Sequence, residues 1–416
     1  MVSHLPQTVL FCSHNIFIIT TLTRAIPSLY EYYLQPYYAD AFSVIIEMDI
    51  LVTISLKSFI ILKDEYVQSN KGECTLINHY DRIFFEPDAM EYPLGKRMYN
   101  QFKKEGVNIE LLQSHNRVTG IPGKTSRESF FYGKNTLVVG VRRTLNFASC
   151  KPSAHFQLPL VTGCTGICEY CYLNTQLGKK PYTRIYINVE EILAQAHELI
   201  EQRKPEVTLF EAAATSDPLP VEVYSGSLET AIRFFAEEEY GRLRFVTKFT
   251  NVDSLLTIDH RAHTRIRFSI NTQSVIQAYE HRTPSLADRL GALSKVLKYG
   301  YPSGVIIAPV IMTGEWQRDY EKLLQELRLN IPESQEEQFE FEVISHRFTT
   351  RAKNNILDVF PSTALPMDEN QDRKFKYGQF GYGKYVYSPE KLEEMKAYFK
   401  YNIMNLFPAA KINYII

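Results

Sequence analysis

The chain has 416 residues, 45% of them apolar, with 46 Lys and Arg against 47 Asp and Glu. Its length allows one large domain or two, and its apolar fraction is ordinary for a globular protein. The near-zero charge balance excludes a globally basic nucleic-acid binder, so any contact with DNA must come from local patches.

Residues 1–75 differ from the rest. They are rich in Ile, Leu, Phe and Tyr, and Arg24, Lys57, Lys63 and Lys71 are their only Lys or Arg. The longest apolar run, Ala41 to Leu62, is interrupted by Glu47, Asp49 and Lys57. A membrane span needs about 20 mostly apolar residues, and one central charge costs roughly 2.5–3.5 kcal/mol, so a transmembrane helix is the weaker reading. Met1 is not followed by a basic stretch, so no signal peptide is expected. The preferred hypothesis is that this segment is not part of the natural protein. Lys71-Gly72-Glu73 is encodable by AAAGGAGAA, which contains a ribosome-binding sequence, and Leu76 follows at a suitable spacing for a TTG start. Translation from Leu76 leaves 42 basic and 40 acidic residues, a formal +2. Peptides from residues 1–70 in a mass spectrum of the native protein would overturn it.

Residues 76–154 read as an N-terminal extension. From there, β-rich runs alternate with helical patterns. The expected strands are His155–Val161, Val207–Ala212, Leu243–Lys248, Arg265–Asn271, Val305–Ile311 and Phe339–Ile344, short and rich in Val, Ile and Phe as buried parallel strands are. One intervening helix is expected to start at an Asn188 cap with Glu191 at N3, and Ile192, Ala196 and Leu199 share a face. Another is expected to start at a Thr283 cap followed by Pro284, and to stop at Gly300. Six β/α units predict an α/β fold with a partial (β/α)6 barrel over residues 155–346, whose site lies at the C-terminal strand ends. Residues 347–416 form a C-terminal extension.

Directly after the first strand the chain reads Gly163-Cys164-Thr-Gly-Ile-Cys168-Glu-Tyr-Cys171-Tyr172, a C-x3-C-x2-C spacing. Six cysteines occur in all (the others are Cys12, Cys74 and Cys150), and this tight triplet is not a disulfide framework. Thiolates are the usual ligands of iron–sulfur clusters. Three thiolates on a [4Fe–4S] cluster leave one iron open to a Lewis-basic substrate. A zinc knuckle is the other reading. It wants a fourth Cys or His nearby, and the next His is His197, inside a predicted helix.

The triplet resembles the radical S-adenosylmethionine superfamily, in which the methionine amino and carboxylate groups chelate the open iron and one electron releases a 5′-deoxyadenosyl radical. Tyr170 matches the aromatic that contacts adenine there. Further stretches resemble the spore photoproduct lyases. They include Glu91-Tyr-Pro-Leu-Gly95, Ser114-His-Asn116, Ile121-Pro-Gly-Lys124, Gly140-Val-Arg-Arg-Thr-Leu145, Lys151-Pro-Ser-Ala154, Leu243-Arg-Phe-Val-Thr-Lys248, Arg267-Phe-Ser-Ile-Asn271, His346-Arg-Phe-Thr349 and Gly383-Lys-Tyr-Val-Tyr387. The resemblance runs from about residue 84 to the C-terminus. It implies a carbon–carbon lyase that reverts 5-thyminyl-5,6-dihydrothymine in double-stranded DNA to two thymines, by hydrogen abstraction at C6 and β-scission. It further implies a [4Fe–4S] cluster, S-adenosyl-L-methionine, an electron donor such as flavodoxin or ferredoxin, a monomer or weak dimer, no membrane partner, and a cytoplasmic place in the spore core. By motif matching, Ser216, Lys248 and Ser269 bind S-adenosylmethionine, with Asn271 a weaker candidate.

The family's hydrogen-donor cysteine stands in Glu-Ala-(Ala/Ser)-Cys-Thr-Ser-Asp, whereas this chain reads Glu211-Ala-Ala-Ala214-Thr-Ser-Asp217. Ala214 has no S–H. Cys150, where the family commonly has serine, is the candidate replacement, and a buried small apolar role is the equal alternative. Tyr170 and Tyr172 match a pair proposed to relay the hydrogen. Ala214 also keeps open a donor-impaired variant, a radical enzyme with another substrate, and a non-catalytic DNA-binding relative.

Because a lesion inside a duplex has to be extruded, phosphate contacts and an apolar wedge are expected. The segment from Arg373 to Tyr387 interleaves bases, aromatics and glycines. Lys376, Gln379, Phe380 and Lys384 are its candidates, with Phe380 at the tip of a β-hairpin. Arg142, Arg143, Lys151, Arg347 and Lys353 are further phosphate candidates.

Overall fold

The computed structural model describes residues 80–115, 118–370, 372–377 and 383–416. The unusual segment 1–75 and the candidates Gln379 and Phe380 lie outside the described residues. In chain order the strands are β1 (Arg82–Phe85), β2 (Ile109–Leu111), β3 (Thr136–Gly140), β4 (Ser149–Cys150), β5 (Ala154–Gln157), β6 (Val161–Thr162), β7 (Ile167–Cys168), β8 (Thr183–Tyr186), β9 (Thr208–Glu211), β10 (Gly241–Thr247), β11 (Thr264–Ile270), β12 (Glu280–His281), β13 (Ser303–Val310), β14 (Glu340–Ser345), β15 (Arg373–Tyr377), β16 (Gly383–Tyr387) and β17 (Lys411–Ile415).

The main sheet has the order β17-β14-β13-β11-β10-β9-β5-β4. Strands β5, β9, β10, β11, β13 and β14 pair in parallel in that sequence, as expected of the six β/α units. A sheet that adds each new strand to the same edge, with helices on its outer face, curls into a half-barrel. Two strands come from outside the predicted barrel segment. β17, from the C-terminal extension, pairs in parallel with β14, and β4 pairs antiparallel with β5.

The expected strand His155–Val161 divides in two. Pro159 has no N–H for a ladder, so the main-sheet strand stops at Gln157. The chain re-forms as β6, which pairs antiparallel with β8. β8 joins a second sheet of order β2-β1-β3-β8-β6, in which β1, β2, β3 and β8 run parallel. The N-terminal extension therefore supplies three of the five strands of a sheet completed by residues on both sides of the cysteine triplet.

Local capping differs from expectation at two helices. Asn188 is the N-cap residue of helix Val189–Glu201 and donates to Glu191 (2.7 Å), but its side chain makes no capping bond to the helix backbone: it accepts from Arg142 N (2.8 Å) and donates to Arg142 O (2.9 Å), fixing the β3 exit. Helix Leu286–Lys298 is capped by Ser285, in a capping box with Asp288, and not by Thr283. Gly300 stops it at φ +80°, as expected.

The lumen of the half-barrel carries a layer of buried charge that the apolar strand pattern conceals. Arg267 donates to Glu342 (2.7 Å) and to Glu211, Arg244 also donates to Glu342, and Tyr414 Oη from β17 donates to the same carboxylate (2.8 Å). Removing one partner of such a buried pair costs about 3–5 kcal/mol, so this layer ties β17 to the barrel strands. Among the described residues no helix is long and apolar enough to cross a membrane.

Candidate active site

The cysteine loop starts where β6 ends. Gly163 sits at φ +82°, and a Cβ there would lie 2.3 Å from Tyr182 O, so only glycine allows this turn. Its N–H donates to Thr215 O (3.0 Å), which holds the loop against the segment following β9. The loop then forms β7, antiparallel to β12 with Cys168 opposite Glu280, and turns so that Cys171 N donates to Cys168 O (3.2 Å). All three cysteines thus lie beyond the C-terminal ends of the barrel strands, as expected.

Burial pushes the Cys164 thiol up to about 12, with Asp217 adding and Lys134 opposing, and pushes Cys168 higher still. Such thiols give up their protons as a metal replaces them on sulfur. Gly166 N donates to Cys164 Sγ (3.3 Å), and a Cβ at Gly166 would meet Thr283 Cγ2 at 3.1 Å and Cys164 Sγ at 3.4 Å. Among the described residues no three His, Cys, Asp or Glu side chains converge on one metal-ion position. A single zinc ion needs that convergence. The donor chemistry of the loop, three thiols in one short turn with glycine at 166 where a Cβ would meet Cys164 Sγ at 3.4 Å, fits a cluster held by Cys164, Cys168 and Cys171.

Next to the loop stands a polar hub. Lys248, one residue past β10, donates to Ser269 Oγ (3.0 Å), Tyr170 Oη (3.3 Å) and Glu280 Oε1 (2.9 Å). Tyr170 Oη itself donates to Glu280. Arg289, fully buried, pairs with Glu280 (2.7 Å) and donates to Ser269 O (3.0 Å) and Thr283 Oγ1 (2.8 Å). Burial alone would raise the Glu280 carboxyl, but Lys248 and Arg289 outweigh it and hold the group down at about 2. Three residues expected to contact S-adenosylmethionine, Tyr170, Lys248 and Ser269, thus meet at the Lys248 ammonium, and two of them, Tyr170 and Lys248, share the Glu280 carboxylate. Glu280 and Arg289 were not legible beforehand, because β12 is only two residues long and gives no periodic signal.

Ser216 lies beside the cysteine loop, bridged to Gly163, with its hydroxyl donating to Ala212 O (3.3 Å). The neighbouring Asp217 accepts from Lys248 N (2.9 Å) and Leu219 N (3.3 Å), and burial raises its carboxyl to about 6. Asn271 is fully buried. It donates to Pro309 O (2.8 Å) and accepts from Tyr320 Oη and Thr272 N (both 2.9 Å), so its side chain is engaged in holding strand ends together.

Cys150 faces the lumen charges. Burial raises its thiol to about 11, with Glu211 adding and Arg267 and Arg244 opposing. Tyr172 stands between the two regions: its hydroxyl donates to Ala214 O, and the phenol is held above its usual range by desolvation and then by Cys171, Cys150 and Glu211. Position 214, Tyr172 and Cys150 therefore share one neighbourhood. A cavity of about 250 Å³ opens beside position 214, lined by Ala212, Ala214, Thr215, Thr162 and Arg142 but by neither Tyr172 nor Cys150.

The DNA candidates separate into groups. Arg142 lies over the Tyr186 ring (5.5 Å) and faces that cavity. Arg143 is paired with Asp88, and Lys353 with Glu369 (3.1 Å), so both already have carboxylate partners. Lys151 is exposed. On the hairpin, Lys376 and Lys384 stand directly opposite each other across β15 and β16, with Arg347 close enough to depress Lys384 after burial has done so. Arg373 roots the hairpin, donating to His346 O (2.7 Å) and lying over the Tyr387 ring (3.9 Å).

Comparison with known proteins bears on this site. The family profile described as "Spore photoproduct lyase" matches residues 79–416. The spore photoproduct lyase of Clostridium acetobutylicum is 52% identical over 339 residues, covering 82% of this chain and 99% of the relative. That of Bacillus subtilis (strain 168) is 44% identical over 332 residues, covering 80% and 97%. Among solved structures, a spore photoproduct lyase complexed with dinucleoside spore photoproduct superposes with a TM-score of 0.79 at 46% identity, covering 81% of this chain and 99% of that one. A doubly substituted form, cysteine to alanine and serine to cysteine, with bound AdoMet and dinucleoside spore photoproduct, gives the same TM-score and identity. With the family profile spanning the cysteine loop, the hub and the hairpin, this chain belongs to the spore photoproduct lyase family.

Proposed function

We propose that the chain is a radical S-adenosylmethionine lyase that reverts the spore photoproduct in double-stranded DNA to two thymines. The observation that carries this reading is the meeting of Tyr170, Lys248 and Ser269 beside Cys168 at the C-terminal strand ends. When bound, a [4Fe–4S] cluster and S-adenosylmethionine would supply the radical chemistry that starts the reaction at C6 of the lesion. The protein's part is to position and to finish. Cys164, Cys168 and Cys171 hold the cluster, while Lys248, Ser269, Tyr170 and Ser216 orient the cofactor. Once the bridging C–C bond has broken, Cys150 returns a hydrogen atom to the thymine radical, in place of the thiol missing at Ala214. Tyr172, whose hydroxyl bonds Ala214 O, would give its phenolic hydrogen atom to the Cys150 thiyl radical and be refilled from 5′-deoxyadenosine, so that the radical, not the hydrogen, returns to the cofactor. The electron comes from a small reduced flavodoxin or ferredoxin, and the enzyme works as a monomer or weak dimer in the spore core.

The test is repair of dinucleoside photoproduct by the reconstituted protein with labelled S-adenosylmethionine. Thymine formation without net cofactor loss is expected. Cofactor cleavage with no thymine would favour the second reading, a radical enzyme with another substrate, which Ala214 keeps in play.

The hairpin is read as the phosphate contact. Like charges directly opposite each other in an antiparallel pair are destabilising, by about 0.2–1 kcal/mol, so Lys376 opposite Lys384 points to an anion placed between them. Lys376→Ala is expected to weaken duplex binding and to lower the slope of log K against log salt by about one. It is also expected to leave stability unchanged or slightly raised. Binding isotherms at several salt concentrations, with an urea titration, check both; an unchanged salt slope removes Lys376 from the contact.

A further inference from the structure

Lys134, the last residue of helix Ser126–Lys134, is 1% exposed. A buried lysine is rare unless it is paired, because an uncompensated charge away from water costs several kcal/mol. Among the described residues Lys134 has no carboxylate at ion-pair distance. Its ammonium donates instead to the carbonyl oxygens of Cys164 (3.0 Å) and Gly166 (2.9 Å), both in the cysteine loop. On the other side it lies over the Phe130 ring at 5.6 Å. Two carbonyls and one aromatic face are partial dipoles and do not neutralise a full charge. The cation is built into the wall of the cysteine loop, and the compensating charge has to come from what the loop holds.

A cubane bound by three thiolates is anionic and becomes more so on accepting an electron, and net charge near the sulfurs is one of the levers on its potential. We propose that Lys134 is a positioning residue that fixes the Cys164–Gly166 turn and serves as the buried counter-charge of the cluster, favouring its reduced form. The inference rests on the cluster reading above. Asp217 is the opposing charge that acts on Cys164, and it is already held by Lys248 N and Leu219 N, so it is not free to neutralise Lys134.

The experiment is an anaerobic potentiometric titration of the reconstituted full chain without S-adenosylmethionine, with dithionite as reductant, following the visible absorbance and the paramagnetic signal of the reduced cluster. Lys134→Gln keeps donors for the two carbonyls and removes the charge; Lys134→Arg keeps the charge. At a fixed ambient potential, Lys134→Gln is expected to show about a tenfold lower ratio of reduced to oxidised cluster, equivalent to about 59 mV for one electron. Lys134→Arg is expected to titrate close to the parent protein. An equal fall in both variants, no fall in either at full iron content, or loss of the cluster in both overturns the proposal. Loss of cluster uptake in Lys134→Gln alone supports it. If the unsubstituted protein itself forms no cluster on reconstitution, it is the cluster reading that fails, whatever Lys134 does.

Discussion

Replacing Glu280 by alanine is expected to lower the stability of the fold by about 3–5 kcal/mol and to abolish tight binding of S-adenosylmethionine. The carboxylate is fully buried and is the common partner of Lys248, Arg289 and Tyr170. Its removal leaves the buried Arg289 and the partly buried Lys248 without their shared counter-charge and releases the Tyr170 hydroxyl. The backbone of Glu280 also pairs with Cys168, so the loosening reaches the cysteine loop. Glu280→Gln, which keeps the volume and an acceptor, is expected to fall between alanine and the parent protein. The pH dependence carries a definite sign. The folded carboxyl, at about 2, lies below its ordinary 4.5, so its stabilisation is fully present above pH 4.5 and is lost as pH falls toward 2. That difference corresponds to on the order of 3 kcal/mol, in line with the mutational figure. Urea unfolding at pH 7 and at pH 3, with equilibrium binding of S-adenosylmethionine to the folded variants, checks these outcomes. Unchanged stability and affinity in Glu280→Ala would show that the hub does not organise the site.

Replacing Cys150 by alanine is expected to separate the start of the reaction from its end. Hydrogen abstraction from the lesion continues, because neither the cysteine loop nor the hub is touched. The product radical then lacks its thiol, so thymine yield falls at least tenfold, a barrier of about 1.4 kcal/mol or more on the return step. By-products of the unquenched radical appear, and S-adenosylmethionine is consumed instead of re-formed. Ala214→Cys in the same chain is expected to restore the yield, since Tyr172 already bonds to the backbone of residue 214. The double substitution distinguishes loss of a donor from damage to the fold. Product analysis with labelled cofactor reads both variants. An unchanged yield in Cys150→Ala, with no new by-products, would remove Cys150 from the reaction.

Much of this site was readable residue by residue. The C-x3-C-x2-C spacing needs only local sequence, because one loop supplies all three thiols. The six barrel strands were readable because each is a short apolar run bounded by helices, and buried parallel strands carry that signature. Lys248 and Ser269 were readable by motif, and their position at strand ends follows from the β/α alternation. What failed locally did so for physical reasons. Pro159 ends a strand inside a run that looks continuous, and Ser285 outcompetes Thr283 as a cap because Asp288 stands three residues on.

By itself the sequence determined the spacing of the three cysteines, the six parallel barrel strands and the absence of a thiol at position 214. These depend on residue identity and on short-range period. Only the tertiary structure decided that Glu280 joins Lys248 to Arg289, that β17 closes onto β14, that Cys150 faces the lumen charges, and that Lys134 lies buried under the cysteine loop. Each of these joins residues far apart in the chain through charge and burial. Hydrophobic period reports which face of an element is covered, but it does not report which charges meet once the faces have closed.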